Sequence, residues 1–187
     1  CYSVTVDTKT IDVSRLAPYR AGWTQSVKQD GEGVMSPMTV EESLVVGDEG
    51  HWHHLQIIRR GEDVANSGRR VLDADTMQLL SLTVEIAEPA EGQPASVHYD
   101  MTGDRFHAEI TLPDGNITQG GERALVMPMF DGQIAGLVIA ALPLADGYQA
   151  TIPTVIPNLG TFWMEITVSG PEQRRYGDDD YAAWVVG

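Results

Sequence analysis

The sequence predicts a mainly β protein: a strongly curved antiparallel sheet, or half-barrel, with one short covering helix. Three observations predict it. Apolar and polar residues alternate with period two, most cleanly at Val97, Tyr99 and Met101, and again where Phe106, Ala108, Ile110 and Leu112 oppose Arg105, His107 and Glu109. Gly, Pro and Asp clusters separate such segments at short intervals, as at Gly47–Gly50, Gly103–Asp104 and Pro113–Gly115. Helical spacing of apolar residues is confined to 131–142, where Ile134, Leu137, Val138 and Ala141 share one side and Asp131 stands at the N-cap.

Each element follows from the same pattern. Gly22–Gln29 carries Trp23, Ser26 and Val27 in a short polar-apolar segment, and Gly31–Gly33 is a turn. Met38–Val46 and His51–Arg60 form a hairpin around Gly47–Gly50, with Trp52, Leu55, Ile57 and Ile58 available for packing. Residues 61–68 are a polar connection leading to Arg69–Leu72. Leu79–Ile86 is a strand with Leu80, Leu82, Val84 and Ile86 on one face, stopped by the proline-containing stretch 88–94. Gly147–Pro153 is a strand ended by its proline. Gly160–Ser169 sets Phe162, Met164, Ile166 and Val168 against Trp163, Glu165 and Thr167. Tyr181–Gly187 opens a strand with no return, so the native chain is expected to continue past Gly187. About eight or nine strands result. Without a repeat or a linker-like stretch, one domain over 1–187 is expected, truncated at its C-terminus.

Composition limits the partners. Lys plus Arg total 12 against 27 Asp plus Glu, a formal net charge of -15 over 187 residues, and Lys9 and Lys28 are the only lysines. Such a field repels a phosphate backbone, so nucleic acid is not an expected partner. The longest apolar stretch, Ile134–Leu144, is interrupted by Gly136 and Pro143 and falls short of the roughly 18 residues a membrane span needs. A single cysteine excludes an intramolecular disulfide. That cysteine is residue 1, the place where an exported bacterial lipoprotein carries its lipid, and this suggests the periplasm or cell envelope with lipid attachment at Cys1.

Candidate chemistry is sparse. In His51-Trp-His-His54, His51 and His53 share one face of an extended segment and His54 points away, so a metal would need a third ligand such as His98, His107 or an aspartate. With no HExxH and no cysteine cluster, histidines on a sheet face beside a packed Trp52 are the stronger expectation. No GxSxG elbow is present, Gly120-Gly121 is a turn without phosphate-loop context, and Asp178–Asp180 is a solvated loop. Asp73 and Asp75 stand on one side of an extended segment and would form a glycosidase pair only if a distant residue completed the pocket. No catalytic residue, metal or cofactor is therefore expected. Trp23, Trp52, Trp163, Trp184, Phe106, Phe162 and Met164 are mostly expected in the core, and Phe106, Phe162, Trp163 and Met164 are also the residues that would line an apolar ligand cavity.

Val71-Leu-Asp-Ala-Asp-Thr-Met-Gln-Leu-Leu80, Asp131 before an apolar segment, Ala141-Leu-Pro-Leu-Ala-Asp-Gly-Tyr148, Val168-Ser-Gly170 and Tyr181-Ala-Ala-Trp-Val-Val186 together resemble the bacterial DUF3108 family over roughly residues 68–187. The resemblance implies a half-barrel-like antiparallel sheet in an envelope protein, similar in architecture to periplasmic lipoprotein carriers, which hold acyl chains on a concave face. It brings no catalytic residues. The leading expectation is thus a non-enzymatic envelope protein binding a lipid, another apolar ligand or a lipid-modified partner in the concave face. The alternatives are a structural or protein-interaction module with a filled interior, whose partner is an envelope protein, and a metal-dependent enzyme using His51 and His53.

Overall fold

The structure is a computed structural model, and it describes residues 11–25, 37–47, 49–101, 103–124, 129–157, 160–176 and 178–187. It is mainly β, built on curved antiparallel sheet with one short helix, as the sequence predicts. Cys1, the segment 26–29 and the turn expected at 31–33 lie outside the described residues.

Contacts gather into two compact units. One unit holds residues 17–74 and 79–126; the other holds 1–16, 75–78 and 127–187.

The first unit is an eight-stranded meander in which every strand pairs antiparallel with the next. Its strands are β1 (Tyr19–Gln25), β2 (Met38–Val46), β3 (Trp52–Arg60), β4 (Asp63–Leu72), β5 (Leu79–Ile86), β6 (Ser96–Asp100), β7 (Arg105–Thr111) and β8 (Ile117–Ala124). Residues directly opposite each other share a face. One face therefore runs from Val40 and Leu44 through Trp52, Leu72, Leu82 and Val84 to Val97, Tyr99 and Ala108, all buried. The other face carries Ser43, Glu41, Arg69, Thr83, Glu85, His98 and Glu109, and it is polar as alternation requires.

Three local readings change. Residues 63–68 belong to β4 rather than to a connection, because Asn66, Ser67 and Gly68 pair on both sides despite their low β propensity. In β5 the inward residue is Leu79, not Leu80, since a register shift after Val71 sets Leu72 opposite Leu79. Gly120 and Gly121 lie in β8, with Gly120 opposite Ala108, and do not form a turn.

The second unit is a four-stranded sheet in the order β12-β11-β10-β9, where β9 is Phe130–Asp131, β10 Gln149–Ile156, β11 Gly160–Tyr176 and β12 Asp179–Val186. Between β9 and β10 a single 3-10 turn, Gly132–Ile134, runs into helix α1 (Ala135–Ala140), which packs beside β9. Asp131 caps this segment as the sequence predicts, its carboxylate accepting from the Gln133 N–H at 2.8 Å. The buried interior includes Phe130, Ile134, Val138, Leu142, Ile152, Val155, Ile166 and Val168. Pro153 does not end β10. The short β9 pairs only with Thr154 and Val155, so a missing N–H at Pro153 interrupts no ladder on that side. β11 likewise runs past Gly170 and Pro171 through a bulge, with Gly170 at a φ of 104° that favours glycine. Tyr181–Val186 has its partner after all: β12 lies antiparallel to the distal half of β11.

Candidate functional site

Within the buried face of the eight-stranded sheet runs one polar row. His54 of β3 stands opposite Leu44 on one side and Arg70 on the other, and both His54 and Arg70 are at most 2% exposed. Arg70 Nη1 lies 3.4 Å from His54 Nδ1, and His54 Nε2 lies 3.2 Å from Glu42 Oε1. The Tyr19 hydroxyl donates to the same Glu42 oxygen, and Gln56 Nε2 donates to Oε2 at 3.4 Å.

A guanidinium can only donate, so Nδ1 of His54 is the accepting side of the Arg70 contact, and Nε2 faces the Glu42 carboxylate. Burial pushes the Glu42 carboxyl up, but donors from Tyr19, His54 and Gln56 together outweigh it and hold the group below its ordinary value. The same contact works oppositely on Tyr19, whose phenol is held well above its usual range by burial and by the adjacent carboxylate. The row thus runs from the Arg70 guanidinium through the His54 imidazole to the Glu42 carboxylate.

Gly68 makes the arrangement sterically feasible. A Cβ there would stand 2.6 Å from Arg70 Nη1, so the guanidinium lies over the bare backbone of its own strand. Gly47 serves His53 in the same way, since a Cβ at 47 would collide with the His53 imidazole.

On the polar face of β1–β3 there is a pocket of about 450 Å³, lined by Arg20, Ala21, Gly22, Glu41, Glu42, Ser43, Leu55 and Ile57. Glu41 is held by Arg59 Nε at 3.1 Å. Gly22 faces open space, with only the Val40 carbonyl within 4 Å of a Cβ placed there.

The sequence-selected residues are placed as follows. His51 precedes β3, His53 is exposed on the polar face and His54 is buried on the opposite one. Among the described residues, no three His, Cys, Asp or Glu side chains gather as a metal site. Phe106 is half-buried in the eight-stranded sheet and meets Tyr99 edge to face at 5.1 Å. Phe162 and Met164 share a face of β11, opposite Thr154 and Ile152, while Trp163 stands on the other face and is 51% exposed. The aromatic residues are less internal than expected. Of the tryptophans only Trp52 is buried, whereas Trp23, Trp163 and Trp184 are exposed, because they stand on edge strands or on the polar side of a ladder.

The distal β11–β12 hairpin is the other notable surface. From Pro171 to Arg175 and from Asp178 to Ala182 every residue is exposed, so both faces of the ribbon meet solvent. Tyr181, Trp184 and Val185 are large apolar residues on it, and among the described residues β12 is an edge strand. Neither the polar row nor the pocket was named from sequence: Glu42, His54 and Arg70 lie far apart in the chain, and only the register brings them together. The available signal was a charged residue inside an otherwise inward-facing series, Arg70 between Gly68 and Leu72.

Comparison with protein-family models, with curated proteins and with solved structures finds no match.

Proposed function

We propose that the protein is a non-enzymatic binding module of the bacterial envelope, whose partner is another polypeptide added as an extended strand along β12. The observation that carries this reading is the exposed edge itself. Asp179 and Asp180 protect the start of β12, but Tyr181-Ala-Ala-Trp-Val-Val186 is uncharged, free of proline and rich in β-forming residues. Natural edge strands of that composition are normally blunted by lysine, proline or a covering element. A partner strand would take main-chain hydrogen bonds from the edge and place side chains beside Tyr181 on one face and Trp184 on the other. The envelope setting belongs to the same proposal and rests on the DUF3108 resemblance.

A photo-crosslinking residue at Ala182, used in envelope extracts, tests it. One discrete adduct, lost when Val185→Lys places a charge on the edge, is the expected result. Absence of any adduct from a folded protein overturns the reading.

A second reading, an apolar ligand or lipid-modified partner held on the apolar face of the eight-stranded sheet, has its own support in Phe106. This ring caps one end of the apolar series yet is only half-buried against Tyr99. Most of that series is already shielded from solvent by the protein itself, which favours the polypeptide reading. Uptake of a fluorescent fatty acid that is lost in Phe106→Ala would reverse the order of the two.

A further inference from the structure

We infer that the pocket on the polar face of β1–β3 is a separate small-molecule site that takes an amphipathic carboxylate, a free organic acid with a short apolar tail. Its floor is apolar: Leu55 and Ile57 project from β3 on the same face as Ser43 and Glu41 of β2. Gly22 keeps the space above Glu41 and Ile57 open, since it stands opposite Glu41 and bears no side chain.

The charge of the site is decided by which groups are already committed. Glu41 is neutralised by Arg59 at 3.1 Å. Glu42 turns its carboxylate to the opposite face, where Tyr19, His54 and Gln56 engage it. Arg20 stands opposite Ser43 at the rim and, among the described residues, makes no ion pair. Arg69, opposite Leu55 on the far side, makes none either. The groups available to a ligand are therefore one lining guanidinium, a hydroxyl and an apolar floor, with a second guanidinium nearby, and these complement a carboxylate attached to a hydrocarbon stub. In a chain carrying a formal net charge of -15, Arg20 and Arg69 place two guanidiniums beside one apolar patch. A volume of about 450 Å³ is at the small end of ligand pockets, suited to a short- to medium-chain acid rather than to a diacyl lipid.

Octanoate is the probe, with octanol to report the apolar contribution alone and sulfate to report the charge alone, each followed by saturation-transfer NMR and calorimetry. Octanoate is expected to bind at least roughly tenfold more tightly than either control, matching one charge-assisted hydrogen bond. Arg20→Gln should remove about that tenfold advantage, and Gly22→Val, which the backbone has room to accept, should abolish binding by filling the pocket. Phe106→Ala, on the other face of the sheet, should leave octanoate binding unchanged, which separates this site from the apolar-face reading. Octanoate that fails to bind, or that binds Arg20→Gln and Gly22→Val as tightly as the parent protein, overturns the assignment.

Discussion

In the eight-stranded sheet an arginine and a histidine are buried among leucines, while in the four-stranded sheet tryptophan and tyrosine remain in solvent. The contrast follows from how each strand is flanked. β3 and β4 are central, so their inward side chains are closed over on both sides, and a polar group there persists only if neighbours complete its hydrogen bonds. Among the described residues β12 has one neighbour, and it lies on a ribbon exposed on both faces, so large apolar groups stay in solvent. Side-chain polarity alone thus does not decide burial in this protein; the face a residue takes and the cover its strand receives decide it together.

The largest test of this contrast is Arg70→Ala. Removing one member of a buried charged row leaves the others without compensation, and a loss of about 3–5 kcal/mol in chemical denaturation is expected. Replacing the row together, Arg70→Met with His54→Leu and Glu42→Gln, should recover most of that loss. If Arg70→Ala alone costs under about 1 kcal/mol, the row is not a buried unit and the comparison fails.

Next in size is Asp131→Ala. It deletes the cap of the 3-10 turn that leads into α1 in the four-stranded unit and should cost about 1–2 kcal/mol, measured the same way. Equal stability would show that Asp131 is held for another reason.

A smaller effect is expected from pH. The folded-state value of Glu42 lies below its ordinary 4.5, so its contribution is complete above that value and is lost as pH falls through the folded one. Tyr19 has the opposite sense: its contribution is complete below its ordinary 10.0 and is lost as pH rises toward the raised folded value. Stability profiles of Glu42→Gln and Tyr19→Phe should be flatter than the parent's on the acid and alkaline sides respectively. Unchanged slopes would show that the row does not titrate with folding.

The smallest stability effect belongs to Trp184→Ala, expected within about 0.5 kcal/mol of the parent because the ring is exposed. A loss several times larger would mean that the ribbon is packed in solution and would blunt the contrast from the other side.

Much of the fold was legible from local pattern. Met38–Val46 and Leu79–Ile86 are strands with the expected bounds, Val97, Tyr99 and Met101 share the buried face, and Asp131 caps where it should. What escaped depended on long-range partners. β4 is hidden because residues 61–68 read as a polar connection until strands on both sides supply the ladder, and Pro153 reads as a stop until its neighbours are known. The polar row was illegible for a related reason, since Glu42, His54 and Arg70 carry no spacing motif and meet only through strand register.

That row also bears on how the meander selects its alignment. Sliding β4 past β3 by two residues would keep every side chain on its own face, and apolar contacts alone distinguish such states poorly. With the row in place, the slipped alignments set His54 opposite Leu72 or Gly68 instead of Arg70, and leave the guanidinium facing Gln56 or Trp52. Either slip parts His54 from Arg70, so this buried contact favours the observed alignment of β3 and β4 over its nearest competitors.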